Sequence, residues 1–252
     1  MEGHALRPSI ALLLVAVSFA LLVAAGAVTL PWGLPGIVVA QVIGFAAPAW
    51  LVARRAGRPR AVLGVVAPRA RAVIGSVLVA ISLWYVIAIV LVPWVEDLVT
   101  EREVEELAGH LAGSEPLALK LIALAAVPAV CEELLFRGAL ARGLRAPLGL
   151  VGASLASAAL FALVHGSLAR LPITFALGVV LGLTALRTGS IVPAMVIHAG
   201  NNAAAVLLSW PPLIAHAAFL DRTAVTLPVA VLCSALGLSL LWSRAATSRS
   251  PS

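Results

Sequence analysis

The chain alternates between long apolar blocks and short polar breaks. A transmembrane helix needs about 20 consecutive apolar residues to cross ~30 Å of hydrocarbon, and the breaks contain the Pro, Gly and Arg residues that commonly separate such helices. We therefore predict an all-α fold, a polytopic membrane helix bundle of about eight transmembrane helices. The predicted spans are residues 9–30, 35–53, 71–94, 117–145, 150–170, 171–187, 190–209 and 224–242.

Composition supports a membrane protein and narrows its partners. Apolar residues make up 62% of the chain and charged residues 11%, whereas a soluble domain averages about 45–50% and about 25%. The net charge of +6 arises in short loops between the apolar blocks, and the sequence has no basic stripe with interleaved aromatic residues. We expect the lipid bilayer, and not a nucleic acid, to be the partner of these basic residues.

The basic residues are unevenly distributed over the two sides of the predicted bundle. When the spans alternate in direction, all but four of the 17 Lys and Arg residues fall on the side of the N-terminus. The four on the other side are Arg102, Lys120, Arg170 and Arg222. Because cytoplasmic loops carry the excess of Lys and Arg, we predict a multi-pass protein of the cell membrane with both termini in the cytoplasm.

Acidic residues are concentrated in residues 96–115, on the opposite side of the membrane. Apolar residues recur there at near-helical spacing, which indicates an amphipathic outer segment. A solvated helix that joins two spans explains this pattern better than a lid or a receptor site. We divide the chain into N-terminal helices with this outer segment (1–115), a core that carries the polar membrane residues (116–209), and a C-terminal helix with its tail (210–252).

Ionisable side chains inside the predicted spans are few, and each marks a candidate functional site because it is costly in hydrocarbon. Three lie in the middle of the fourth span: Glu132, Glu133 and Arg137. Glu133 and Arg137 are four residues apart and share one face of a helix, which predicts a structural ion pair. Glu132 points ~100° away on the helix, so we assign it a chemical role. A single charge network of all three residues is the alternative.

Two histidines and an asparagine lie on later spans. His165 belongs to the fifth predicted span, and His198 and Asn202 share one face of the seventh because they are four residues apart. If the chain turns at residues 147–149, Glu132 and His165 reach a similar depth in the membrane. Three helices can therefore bring a carboxylate, two imidazoles and an amide together.

These side chains are suited to hydrolysis of an amide bond. Glu132, His165 and His198 can bind a divalent metal, with zinc the favoured ion and one position open for water. Alternatively, a carboxylate and an imidazole can deprotonate the water directly. The amide N–H of Asn202 can donate to a developing oxyanion. The catalytic candidates are therefore Glu132, His165, His198 and Asn202. The sequence has no His-Glu-x-x-His motif, and both mechanisms remain open.

Three short motifs resemble the signatures of the CAAX protease and bacteriocin-processing (CPBP) family of intramembrane proteases. They are Glu-Glu-x-x-x-Arg at residues 132–137, Phe-x-x-x-His at residues 161–165, and His-x-x-x-Asn at residues 198–202. They occur in this order on successive predicted helices, which makes the set more specific than any one motif. The resemblance covers roughly residues 116–209, which it identifies as a catalytic core.

The resemblance implies an eight-helix endopeptidase whose site opens to the cytoplasm. Eukaryotic members of the family remove the three C-terminal residues of prenylated CAAX proteins, and some bacterial members are linked to bacteriocin maturation or immunity. By this resemblance, Glu132 and His165 activate the water. His198 and Asn202 stabilise the oxyanion or help to bind a metal. The implied substrate is a membrane-associated peptide or protein.

Two other functions are compatible with the same residues. In an ion-coupled transporter, Glu132 and the histidines would form a proton relay, but the sequence lacks the internal repeat that such carriers usually have. In a non-catalytic bacteriocin-immunity or scaffold protein, the same cavity would bind a peptide without cleaving it. Substrate flux without peptidase activity would favour the transporter, and a phenotype that survives substitution of Glu132 would favour the scaffold.

Overall fold

The part of the chain that the structure describes contains eight apolar helices of more than ten residues. The structure is a computed structural model, and it describes residues 5–101, 114–210 and 222–243. No strand occurs in these residues, so the predicted all-α bundle is confirmed. The helices are α1 (Pro8–Thr29), α2 (Leu34–Ala56), α3 (Ala70–Leu91), α4 (117–148), α5 (150–163), α6 (Arg170–Thr188), α7 (Val192–Leu208) and α8 (Thr223–Trp242).

The length and hydropathy of these helices make the chain a multi-pass membrane protein. Among the described residues, six helical runs are long and apolar enough to cross a membrane. One of these runs, Leu117–Leu163, contains both α4 and α5, and α7 is a shorter apolar helix. The eight helices correspond one to one with the predicted spans, because apolar length alone determines most of their bounds.

The turn between α4 and α5 lies where the sequence predicts it. Gly149 has a φ of 67°, a left-handed conformation that glycine adopts without steric cost. Beyond this turn, Ser157 Oγ donates a hydrogen bond to the Phe136 carbonyl at 2.7 Å. Helix α5 therefore packs back along α4.

The fifth span is shorter than predicted. Helix α5 ends at Leu163 instead of near residue 170, and Gly166 has a φ of 65° in the turn that follows. Ser167 Oγ accepts a hydrogen bond from the backbone N–H of Arg170 at 3.1 Å, at the start of α6. Polar and glycine residues thus end the helix before the apolar block does. As a consequence, His165 lies in a turn beyond α5 and not within a span.

Small residues occur where the helices cross. A Cβ atom added to Gly237 on α8 would lie 2.7 Å from the carbonyl oxygen of Gly75 on α3. A Cβ atom added to Gly178 on α6 would lie 3.0 Å from the Cβ of Ala158 on α5. Close backbone approach gives membrane helices the van der Waals contact that holds them together in lipid. These glycines therefore bring α3 against α8 and α5 against α6.

The predicted outer segment is only partly described. Glu96–Leu98 form a single 3₁₀ turn after α3. Residues 102–113, which carry most of the predicted amphipathic helix, lie outside the described residues. That helix and the three-region division of the chain stay predictions.

Candidate active site

The three charged residues of α4 are buried where the helix changes its winding. Helix α4 is α-helical over Val127–Glu133 and π-helical over Leu134–Ala141. Glu132 is 6% exposed, whereas Glu133 and Arg137 are fully buried. Glu133 Oε1 accepts a hydrogen bond from Arg137 Nη1 at 2.8 Å. Such π segments are frequent at functional sites, and this one begins directly after the two glutamates.

Arg137 connects α4 to two neighbouring helices. Its Nη2 donates to the carbonyl of Gly178 on α6 at 3.2 Å. Its guanidinium carbon lies 4.3 Å from the centroid of the Phe161 ring on α5, a cation–π contact. A buried charge is tolerated only when it is paired and hydrogen-bonded. Arg137 satisfies this condition through α4, α5 and α6 together.

His198 of α7 lies between the two glutamates. Its Nδ1 is 3.0 Å from Glu133 Oε1, and its Nε2 is 3.7 Å from Glu132 Oε2. The side chain is buried. When Nδ1–H donates to Glu133, the imidazole ring is fixed with Nε2 facing Glu132. Glu133 therefore contacts both Arg137 and His198.

His165 is oriented by a backbone carbonyl. Its Nδ1 lies 2.7 Å from the carbonyl oxygen of Phe161, so Nδ1 carries the hydrogen and the Nε2 of the neutral ring is left as a proton acceptor. The Phe161 ring contacts both imidazoles, with centroid distances of 4.7 Å to His165 and 5.7 Å to His198. Phe161 thus positions the two histidines relative to each other.

Asn202 lies one helical turn after His198 on α7. Its Nδ2 donates to the carbonyl of Leu124 at 3.3 Å, within a π segment of α4 at Ile122–Ala126. Its Oδ1 accepts a hydrogen bond from Asn201 Nδ2 at 3.4 Å. These two bonds determine which way the amide faces, and Nδ2 carries a second N–H that can donate to another group.

Gln41 is a site residue that the sequence analysis missed. It belongs to α2, directly before a π segment at Val42–Ala46, and its Nε2 donates to Glu132 Oε1 at 2.9 Å. The amide oxygen of Gln41, Oε1, and the second carboxylate oxygen of Glu132, Oε2, are both buried and have no hydrogen-bond partner among the described residues. Gln41 is the single carboxamide in the apolar sequence of α2, and this signal could have identified it.

The structure brings the predicted residues together to different degrees. Glu132, Glu133, Arg137 and His198 form one connected cluster. His165 adjoins it through Phe161, and Asn202 adjoins α4 through the Leu124 carbonyl. The arrangement can hold a water molecule against a carboxylate and an imidazole, with an amide donor nearby.

The predicted metal ligands do not form a three-ligand set in this arrangement. Within the described ranges, no three His, Cys, Asp or Glu side chains are placed so that they could hold a metal ion together. Glu132 and His198 are within reach of each other, but His165 contacts the Phe161 ring and carbonyl instead. The predicted zinc stays a prediction.

One comparison with known proteins gives a match. Residues 114–204 match the family model described as Type II CAAX prenyl endopeptidase Rce1-like. No curated protein and no solved structure matches the chain. The matched residues are somewhat more than a third of the chain, and they include all three motifs on α4 to α7. Gln41 lies outside them.

Proposed function

We propose that this membrane protein is an intramembrane endopeptidase, because residues 114–204 match the family model described as Type II CAAX prenyl endopeptidase Rce1-like. The substrates we propose are membrane-associated peptides or proteins, either prenylated chains of the CAAX type or bacteriocin-like peptides. The reaction is attack of an activated water on a peptide carbonyl. The observation that carries this proposal is the environment of Glu132.

Glu132 is suited to act as the general base. One carboxylate oxygen is held by Gln41 at 2.9 Å, and the other is buried without a hydrogen-bond partner among the described residues. A water that donates to this second oxygen gives its proton to Glu132 as its own oxygen bonds to the substrate carbonyl carbon. The carboxylic acid then returns that proton to the leaving amine nitrogen when the C–N bond breaks.

The two histidines and Asn202 complete the proposed site. His165 donates through Nδ1 to the Phe161 carbonyl, so its Nε2 can accept a hydrogen bond from the same water and orient it. The second N–H of Asn202 can donate to the oxyanion. His198 is the other candidate for stabilising the oxyanion, and its ring is held between Glu132 and Glu133. Glu133 and Arg137 position this histidine.

Substitution of the proposed base tests the mechanism. We expect Glu132→Gln and His165→Ala each to lower cleavage of prenylated and unprenylated reporter peptides in proteoliposomes by at least about 100-fold, the usual contribution of general-base catalysis. The matched control is Cys131→Ala, since the thiol of Cys131 is buried next to Glu132 but has no role in the mechanism. Activity retained in folded Glu132→Gln protein would overturn the proposal.

The metal requirement needs a separate measurement. Metal analysis of the purified protein, together with cleavage assays with and without a chelator, tests the predicted zinc. A stoichiometric metal whose removal abolishes cleavage would support a ligand role for Glu132, His165 and His198. Full activity after complete metal removal would contradict that role and leave direct activation of water by Glu132.

A further inference from the structure

A second concave site lies at the arginine-rich end of the bundle. A cavity of about 650 Å³ is located where α3 begins and where α4, α6 and α8 end. None of the residues of the candidate active site lines it. Five of the lining residues are arginines, namely Arg69, Arg71, Arg142, Arg145 and Arg187.

Arginine is the only charged residue type in the described wall of the cavity. Among the described lining residues there is no aspartate or glutamate. Arg142 is half-buried, and it donates to the carbonyls of Val62, Ala61 and Gly189 at 3.1, 3.2 and 3.4 Å. Arg145 donates to the carbonyl of Leu186 at 3.0 Å. Carbonyl oxygens fix the guanidinium groups in place but leave their positive charge in the cavity.

The position of the cavity fits the headgroup layer of a bilayer. Its walls are helix ends, and the Arg187 guanidinium carbon lies 4.5 Å from the centroid of the Trp242 ring. Tryptophan and arginine at the ends of transmembrane helices lie at the depth of the lipid headgroups. The cavity therefore lies at the membrane surface, where an anion at headgroup depth can enter it.

We propose that this cavity binds a phosphate-bearing anion and that its source is the headgroup of an anionic phospholipid. The planar guanidinium fork matches the geometry of phosphate oxygens. Basic pockets between transmembrane helices bind anionic headgroups by the same chemistry, and about 650 Å³ is within the range of small-molecule sites. This proposal is independent of the proposed peptidase activity.

Binding to the purified full-length chain in neutral detergent tests the proposal. We expect saturable binding of phosphatidylglycerol by titration calorimetry and much weaker binding of zwitterionic phosphatidylcholine. The double variant Arg145→Gln/Arg187→Gln removes two exposed cavity charges, and it should bind phosphatidylglycerol about 10- to 30-fold more weakly, because each such charge contributes about one kcal/mol near a membrane surface. The single variant Arg69→Gln repeats the test if the double variant does not fold.

The matched control is Arg54→Gln/Arg55→Gln, which removes two exposed arginines at the same end of the bundle but outside the cavity. Its affinity for phosphatidylglycerol should stay close to that of the native protein. Equal losses in the two double variants would overturn the proposal, because general surface charge would then explain binding. Inorganic phosphate that binds as tightly as the lipid would overturn the lipid source and indicate a soluble phosphate compound.

Discussion

The environment of Glu132 depends on a residue that precedes it by 91 positions. Gln41 comes from α2, whereas the other residues of the site come from α4 to α7. A single N–H donor from this amide holds one carboxylate oxygen and so turns the other toward His198. Gln41 is therefore a positioning residue for the proposed base.

Replacement of Gln41 by an isosteric residue without donors tests this role. We expect Gln41→Met to lower kcat for peptide cleavage by about 10- to 100-fold, because a hydrogen bond to a charged group contributes about 1.5–3 kcal/mol. The KM should stay nearly constant, since Gln41 acts through Glu132 and not on the substrate. The control is Val42→Leu, at an exposed neighbouring position. A rise in KM without a fall in kcat would refute the positioning role.

At the residue scale, sequence spacing predicts contacts within one helix better than contacts between helices. The interval of four residues was sufficient to place Glu133 beside Arg137. Motif order was sufficient to place His198 near α4, but not to show that it contacts both glutamates. Gln41 was missed because its span contains no ionisable residue and none of the three motifs, so no neighbouring charge or motif marked it as part of a site.

At the scale of helices, α3 lies between α8 and the helix α7 that carries part of the site, and it packs closely against both. It contacts α8 through Gly75 and Gly237. It also contacts α7, where a Cβ atom added to Gly200 would lie 2.5 Å from the Cβ of Ala80. Helix α7 carries His198 and Asn202. The close approach of α8 to α3 therefore supports the position of both residues.

A methyl group at Gly237 should loosen this packing. Its Cβ would lie 2.7 Å from the carbonyl oxygen of Gly75, and backbone cannot move aside as a side-chain tip does. We expect Gly237→Ala to destabilise the protein by about 1–3 kcal/mol, measured as a lower midpoint of thermal unfolding in detergent. Gly26→Ala is the matched control, because a Cβ there meets nothing within 4 Å. Equal unfolding midpoints for the two variants would show that the α3–α8 crossing can accommodate a methyl group, and would contradict the prediction.

The helices were predictable to the extent that apolar length defines them. All eight were expected, most of them with bounds near those observed, because a helix needs about 20 apolar residues to cross the hydrocarbon. The early end of α5 was not expected, since it depends on Gly166 and the Ser167 hydrogen bond. The π segments of α2 and α4 were not expected either. A change from α to π winding leaves the apolar pattern of the sequence intact, so that pattern cannot predict it. In α4 the π segment also coincides with contacts to other helices, and residue spacing along the chain does not reveal such contacts.

At the scale of the whole molecule, charge is distributed unevenly along the bundle axis. The arginine-lined cavity is at one end, where α2, α4, α6 and α8 end, and the Glu96–Leu98 turn follows α3 at the other. The positive-inside rule predicts that the arginine-rich end faces the cytoplasm. The side of the membrane on which each terminus lies follows from this rule and stays a prediction.

Cysteine labelling of intact cells tests the orientation. Ala56 and Ser114 are exposed and lie at opposite ends of the bundle. A membrane-impermeant maleimide should label Ser114→Cys in intact cells that express the protein. It should label Ala56→Cys only after permeabilisation. The parent chain is the control for background labelling of Cys131 and Cys233. The reverse pattern would place both termini outside.

The hydrogen bond from Gln41 to Glu132 also determines how far the protein can be trimmed. A fragment cut to residues 114–204 keeps every motif of the matched family but lacks the amide that holds the glutamate. In such a fragment the carboxylate of Glu132 would also face lipid, because α2 no longer covers it. The minimal unit for expression and biochemical reconstitution must therefore begin before residue 34, so that it contains all of α2.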